Sequence, residues 1–262
     1  QPIPCDIDMR LILLLQADFS MEKKILIISP HCDDVPLSLG ASLLDGLLGT
    51  DVHVAIIFSQ SCYTRFEPCT APIDIATNLR KAEEKQAAEM AGYTVTFYPF
   101  SEPFVRSGFQ SLNDIFDQSR QVELESEWDI VRKALHQILK DHTGPVLSPL
   151  SCGGHIDHRM VTKCFRDYIY LSTDTVPLFY EDLPYASNMT LDQIQALVPE
   201  NWRDIKFVPI YLRGKSLNAK VHLLDIYQSQ LGDNDIDCVR THWNRRDQSE
   251  VIWVPESYLS NF

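Results

Sequence analysis

A three-layer α/β/α sandwich around a mostly parallel central sheet is predicted by three features of the sequence. Short strand-like runs recur at 25–28, 52–58, 94–98 and 144–148, the first continuously apolar and the first two reading as strands buried within a sheet. Segments of helical apolar periodicity alternate with them, at 36–48, 78–91, 123–141 and 157–170. The first and fourth runs end abruptly in loops rich in His and Asp. Strands alternating with helices require right-handed crossovers, and these put helices on both faces of one sheet.

Taken in order, Ile25, Leu26, Ile27 and Ile28 form a strand between Lys24 and Pro30. The helix at 36–48 presents Leu37, Leu39, Leu43, Leu44, Leu47 and Leu48 as its apolar face, with Ser38 placed to cap or to hydrogen-bond. The second strand, 52–58, holds His53 within its length, which marks a structural histidine, and residues 59–75 read as a loop. The helix at 78–91 stops at Gly92. Spacing alone makes Arg80 and Glu83 an exposed i, i+3 ion pair. A third strand at 94–98 leads to a loop carrying Glu102 and Arg106. The helix at 123–141 turns Trp128, Ile130, Val131, Leu135, Ile138 and Leu139 inward, and the fourth strand follows. Beyond the helix at 157–170, a strand and loop are expected over 176–187, a strand at 206–212, a helix at 215–230, and an edge strand at 251–258.

Composition sets further bounds. A chain of 262 residues with 45% hydrophobic content buries one sizeable core, and residues 21–262 are expected to form a single domain after a peripheral extension at 1–20. A formal charge of −13 argues against nucleic-acid backbones and anionic lipid and favours a neutral or cationic small molecule. No apolar stretch is long enough to span a membrane, and a homo-oligomer is compatible with the composition. Seven cysteines without a C-x-x-C pair suggest neither a disulfide framework nor a thiolate zinc site, so a reducing, cytoplasmic setting is expected.

The chemistry concentrates in two loops. In SPHCDD, His31 and Asp34 have the His-x-x-Asp spacing that lets an imidazole and a carboxylate converge on one cation, leaving Asp33 as a proton acceptor. A catalytic zinc usually takes three protein ligands and keeps one position for water, so a third ligand must come from elsewhere. The best source is SCGGHIDHR, where His155 and His158 lie on one face of a helical turn after Gly153 and Gly154.

Together these motifs resemble the LmbE/PIG-L zinc-dependent de-N-acetylases, whose motifs Pro-His-x-Asp-Asp and His-x-Asp-His occur here in the same order. The resemblance implies one Zn²⁺ per chain held by His31, Asp34 and His158. It implies Asp33 as the general base and later acid, His155 as the group steadying the tetrahedral oxyanion, and Asp157 as an orienting residue behind a histidine. Arg80, Glu102, Tyr180 and Asp182 are implied to shape the substrate cleft, with Glu181 and Tyr185 beside them. The expected reaction is hydrolysis of the N-acetyl amide of an N-acetylglucosamine-type sugar or sugar-containing metabolite. Many members continue Asp-Asp with Glu, whereas Val35 stands here, closer to the branch with a small or apolar residue. Two other readings are a metal-dependent phosphoesterase and a non-catalytic Rossmann-like binding module. The first usually musters more acids for two metals. The second lacks G-x-G-x-x-G in its first loop and places acids where phosphates need amide donors.

Overall fold

The computed structural model describes residues 24–261 apart from 68, 69, 107, 108, 110, 173, 174 and 200–204. The extension expected at 1–20 lies outside the described residues. Among the described residues seven strands form one sheet: β1 Ile25–Ser29, β2 Val52–Ile56, β3 Thr94–Phe97, β4 Pro145–Pro149, β5 Val176–Tyr180, β6 Phe207–Arg213 and β7 Ser249–Pro255, in the order β3-β2-β1-β4-β5-β7-β6. The pairs among β1 to β5 are parallel, and β7 runs antiparallel to both neighbours.

Among the described residues there are eight α-helices: α1 Asp34–Leu44, α2 Ile73–Ala91, α3 Leu112–Ile115, α4 Trp128–Lys140, α5 Ile156–Leu171, α6 Leu191–Gln195, α7 Leu217–Leu224 and α8 Asp233–Arg245. α1 packs on α2 and α7, and α4 packs on α5. The predicted α/β class and its mostly parallel sheet are thus present. Every position of β1 and β4 is buried, which accounts for their largely apolar character. Gly92 closes α2 at φ 77°, a left-handed position that glycine occupies without a Cβ penalty. Among the described residues no helix is long and apolar enough to cross a membrane.

Several boundaries differ from expectation. The segment before α4 is a short 3₁₀ turn, Val122–Leu124, and α4 itself starts at Trp128. Trp128, Val131, Leu135 and Leu139 make its buried stripe, while Ile130 points outward at 52% exposure. α7 ends at Leu224 rather than near 230. The last strand is not an edge: β7 lies between β5 and β6, buried along its whole length, and β6 takes the edge.

β7 also anchors α1. Glu250, fully buried, accepts hydrogen bonds from Ala41 N (3.0 Å), Ser42 N (2.7 Å) and Ser42 Oγ (2.5 Å), and pairs with Lys220 Nζ of α7 at 2.5 Å. Breaking a buried ion pair by removing one partner leaves the other charge uncompensated. Lys220→Met is therefore expected to lower stability by about 3 kcal/mol, read as a shift in the urea midpoint.

Candidate active site

Strand order reverses beside β1, which has β2 on one side and β4 on the other. Successive crossovers leave in opposite directions there and open a crevice at the carboxyl ends of the strands. The loops after β1 and β4 carry the two motifs, so sheet topology brings together residues 126 positions apart: His31 Nε2 lies 2.9 Å from Asp157 Oδ2. The rings of His31, His155 and His158 cluster, with centroids 4.9 to 5.3 Å apart.

Asp34 sits between two of them. Its Oδ2 is 3.3 Å from His31 Nδ1 and its Oδ1 is 3.4 Å from His158 Nε2. Donor atoms about 2.1 Å from a tetrahedral metal are about 3.4 Å from one another, so both spacings suit a shared ion. The outer nitrogens are already engaged: His31 Nε2 by Asp157, and His158 Nδ1 by Asp182 Oδ2 at 2.9 Å. His158 Nε2, by contrast, is buried and makes no hydrogen bond. A buried polar atom normally has a partner, and this one faces a carboxylate at metal-ligand spacing. His31, Asp34 and His158 therefore fit a metal ion. A second grouping, His31, His155 and Asp157, also lies close enough. Its Asp157 oxygens, however, are committed to His31 and to Arg106 Nη2.

The charges respond to this crowding. Burial disfavours a protonated His158, but Asp34 and the Asp182 hydrogen bond outweigh it and push the ring up to about 9. His31 likewise rises well above its ordinary value, burial being overcome by the bonds to Asp157 and Asp34. Burial would raise Asp34, yet His158 and His31 hold it far below the carboxylate range. Asp157 is also lowered, because Arg106 and His31 outweigh burial.

Asp33 and His155 flank the three. Asp33 caps α1 at φ 96°, a conformation that non-glycine residues rarely adopt. The surrounding protein and Asp34 beside it push its carboxyl well up, against the pull of Arg80. His155 caps α5, and its Nδ1 accepts the Asp157 N–H at 3.2 Å. That bond places the ring proton on Nε2. Burial and the neighbouring His31 lower it well below the usual histidine value, so the ring is neutral at pH 7.

The remaining sequence-derived candidates are placed as follows. Arg80 and Glu83 are buried and do not pair with each other. Arg80 binds Glu102 at 2.9 Å and Ser61 Oγ at 2.8 Å, while Glu83 accepts from Ser229 and Gln230. Tyr180 is fully buried, its hydroxyl donating to Ile28 O at 3.0 Å. Asp182 stands behind His158, and its other oxygen accepts the Cys152 N–H at 3.0 Å. Glu181 accepts from His242, Arg246 and Trp253. Ser38 accepts the Leu183 N–H, tying α1 to the loop after β5. Cys32 and Cys152 are free and buried, and burial raises both thiols well above the ordinary value. Arg106, which clamps Asp157 and donates to Ser101 O at 2.7 Å, carried no spacing signal in the sequence.

Comparison with known proteins bears on this geometry. The PIG-L family, described as GlcNAc-PI de-N-acetylase, matches residues 26–169, more than half of the chain and both motif loops. The chain belongs to the PIG-L family. The 2'-N-acetylparomamine deacetylase of Streptomyces fradiae is 27% identical over 219 residues, covering 82% of this chain and 75% of that protein. A deacetylase of the teicoplanin biosynthesis pathway shares 21% identity at a TM-score of 0.65, over 88% of this chain and 96% of its own. The N,N'-diacetylchitobiose deacetylase of Pyrococcus horikoshii shares 18% identity at a TM-score of 0.59, over 95% and 90%. These structural likenesses show a fold shared over most of the chain, beyond residue 169.

Proposed function

We propose that this protein is a zinc-dependent N-deacetylase that hydrolyses the N-acetyl amide of an aminosugar of the N-acetylglucosamine type, or of a metabolite containing one, releasing acetate and a free amine. The observation that carries the reading is the buried, hydrogen-bond-free Nε2 of His158, held by Asp182 on its far side and facing Asp34 and His31. Two imidazoles and one carboxylate are a donor set suited to zinc. Membership of a de-N-acetylase family and the paromamine and chitobiose substrates named for two relatives support the choice of amide and sugar.

An amide resists neutral water and its nitrogen leaves poorly, so the site must supply a nucleophile, a home for the oxyanion and a proton. His31, Asp34 and His158 would hold a zinc ion, which would supply Lewis-acid polarisation and lower the pKa of water toward neutrality. Asp33 takes the proton of the attacking water and passes it to the departing amine. Its raised carboxyl suits a group that must both accept and release a proton near neutrality. His155, neutral and with its proton on Nε2, donates to the developing oxyanion. Asp157, fixed by Arg106, and Asp182, fixed by the Cys152 N–H, orient His31 and His158. Arg80, paired with Glu102, bears electrostatically on Asp33.

The test is amine and acetate release from 2'-N-acetylparomamine, N,N'-diacetylchitobiose and simple N-acetylglucosamine derivatives by the zinc-loaded protein. Absence of amine release across that panel, with phosphate release from phosphoesters instead, would overturn the reading.

A pH dependence follows. In the metal-free protein His158 holds its proton up to about pH 9, so metal must displace it. Zinc affinity is expected to climb from pH 6 to pH 9 by about tenfold per pH unit for each proton released. The stability of the metal-free protein runs the other way. A histidine raised from about 6.5 stabilises the fold fully below its unfolded pKa, and that increment is lost as pH rises through about 9. Zinc titrations and urea melts at three pH values check both signs.

A further inference from the structure

Glu84 is fully enclosed between α2, the start of β3 and the loop after α7, and it touches the active site at one point. Its Oε1 accepts from Tyr93 OH at 2.8 Å, and its Oε2 accepts from Tyr227 OH at 2.7 Å and from the Asp33 N–H at 3.2 Å. All three donors are neutral, and among the described residues no cation pairs with it. A buried carboxylate held only by neutral donors is costly and persists where its hydrogen bonds have a use.

The start of α1 supplies that use. In a capping box, the N–H of the N-cap residue is taken by an acidic or amide side chain at the third helical position. In α1 the N-cap is Asp33 and the third position is Pro36, which has no side-chain acceptor. Glu84, from the neighbouring helix, takes that N–H instead. The peptide it grips leads into a residue at φ 96°, a backbone state that lasts only where its surroundings impose it. The two tyrosines fix the carboxylate that does so.

We propose that Glu84 is a positioning residue for Asp33. By holding the Asp33 N–H from outside the helix, it sets the strained backbone that aims the Asp33 carboxylate at the reacting water. The assignment rests on the reading of Asp33 as the proton acceptor. The sequence made Arg80 and Glu83 conspicuous on this helix, while the residue that reaches the site backbone is the next one along.

The experiment measures kcat, KM and zinc per chain for the full-length zinc-loaded protein on N,N'-diacetylchitobiose and 2'-N-acetylparomamine. The variants are Glu84→Ala, Glu84→Gln, the pair Tyr93→Phe with Tyr227→Phe, and Asp33→Asn. Misplacing a reacting group by about 1 Å costs about 10²-fold. Glu84→Ala is expected to lower kcat by about 10- to 100-fold with KM and zinc content unchanged. Glu84→Gln, which keeps an acceptor oxygen for the Asp33 N–H, is expected to recover most of that loss. The double tyrosine variant keeps the carboxylate but frees it, and is expected to lower kcat at unchanged KM. Wild-type kcat in Glu84→Ala, a loss that Gln does not recover, or a loss tracking depleted zinc would each overturn the positioning role. If Glu84→Ala does not fold, wild-type kcat in the tyrosine pair overturns it. An inactive, zinc-replete Asp33→Asn beside a fully active Glu84→Ala would sink this role alone, whereas a fully active Asp33→Asn would sink the reading of Asp33 and this role with it.

Discussion

Asp33→Asn is expected to lower kcat by about 10²- to 10⁴-fold while zinc content and fold stay unchanged. The expectation follows from where the carboxylate stands. Asp33 adjoins Asp34, which lies within ligand spacing of His31 and His158, yet among the described residues none hydrogen-bonds to the Asp33 side chain, and it remains partly exposed. Asparagine keeps the shape and the backbone that Glu84 holds, and removes only the capacity to take up and release a proton. A carboxylate that served merely as a helix cap would be replaceable by asparagine, since the two side chains cap about equally well. Side-by-side measurement of kcat and of zinc per chain separates the two roles. Wild-type turnover in this variant would remove Asp33 from the chemistry, and loss of zinc would make it a ligand instead.

The parts of this site that were legible in the sequence are those encoded over a few residues. His31, Asp33 and Asp34 lie in one turn, and His155, Asp157 and His158 in another, so spacing alone declared both clusters. The continuous apolar runs placed each cluster after a strand. Their meeting was legible only through topology, because nothing local says that β4 pairs with β1. The supporting groups come from farther away: Arg106 reaches Asp157 across 51 positions and Asp182 reaches His158 across 24. No short pattern encodes such contacts. Arg80 and Glu83 misled for the same reason, since their i, i+3 spacing describes an isolated helix, whereas here each finds its partner in another loop. α8 was missed because its acidic segment buries only Val239, His242 and Trp243, too few for a visible period. Ile130 lies off the stripe formed by Trp128, Val131, Leu135 and Leu139, and general hydrophobicity overrode its angular position. Being last in the chain suggested an edge for β7, but order along the chain is not order in the sheet.

The strongest metal-centred prediction concerns His158 and the carboxylate behind it. His158→Ala is expected to abolish zinc binding and turnover together, because it removes the buried imidazole nitrogen that faces Asp34 without a hydrogen bond and leaves Asp34 and Asp182 facing a void. Asp182→Asn should have a graded effect. It keeps the His158 ring in place by volume but removes the charge that fixes the proton on Nδ1 and leaves Nε2 free to bind metal. Losing such an orienting partner typically costs about 10- to 100-fold in metal affinity, so Asp182→Asn should remain active at high zinc and fail at low zinc. Zinc per chain after dialysis against a weak chelator ranks the variants: wild type full, Asp182→Asn partial, His158→Ala empty. Full zinc in His158→Ala would break the ligand assignment. Equal retention by wild type and Asp182→Asn would mean that the pair of carboxylate and imidazole holds the fold rather than the ion.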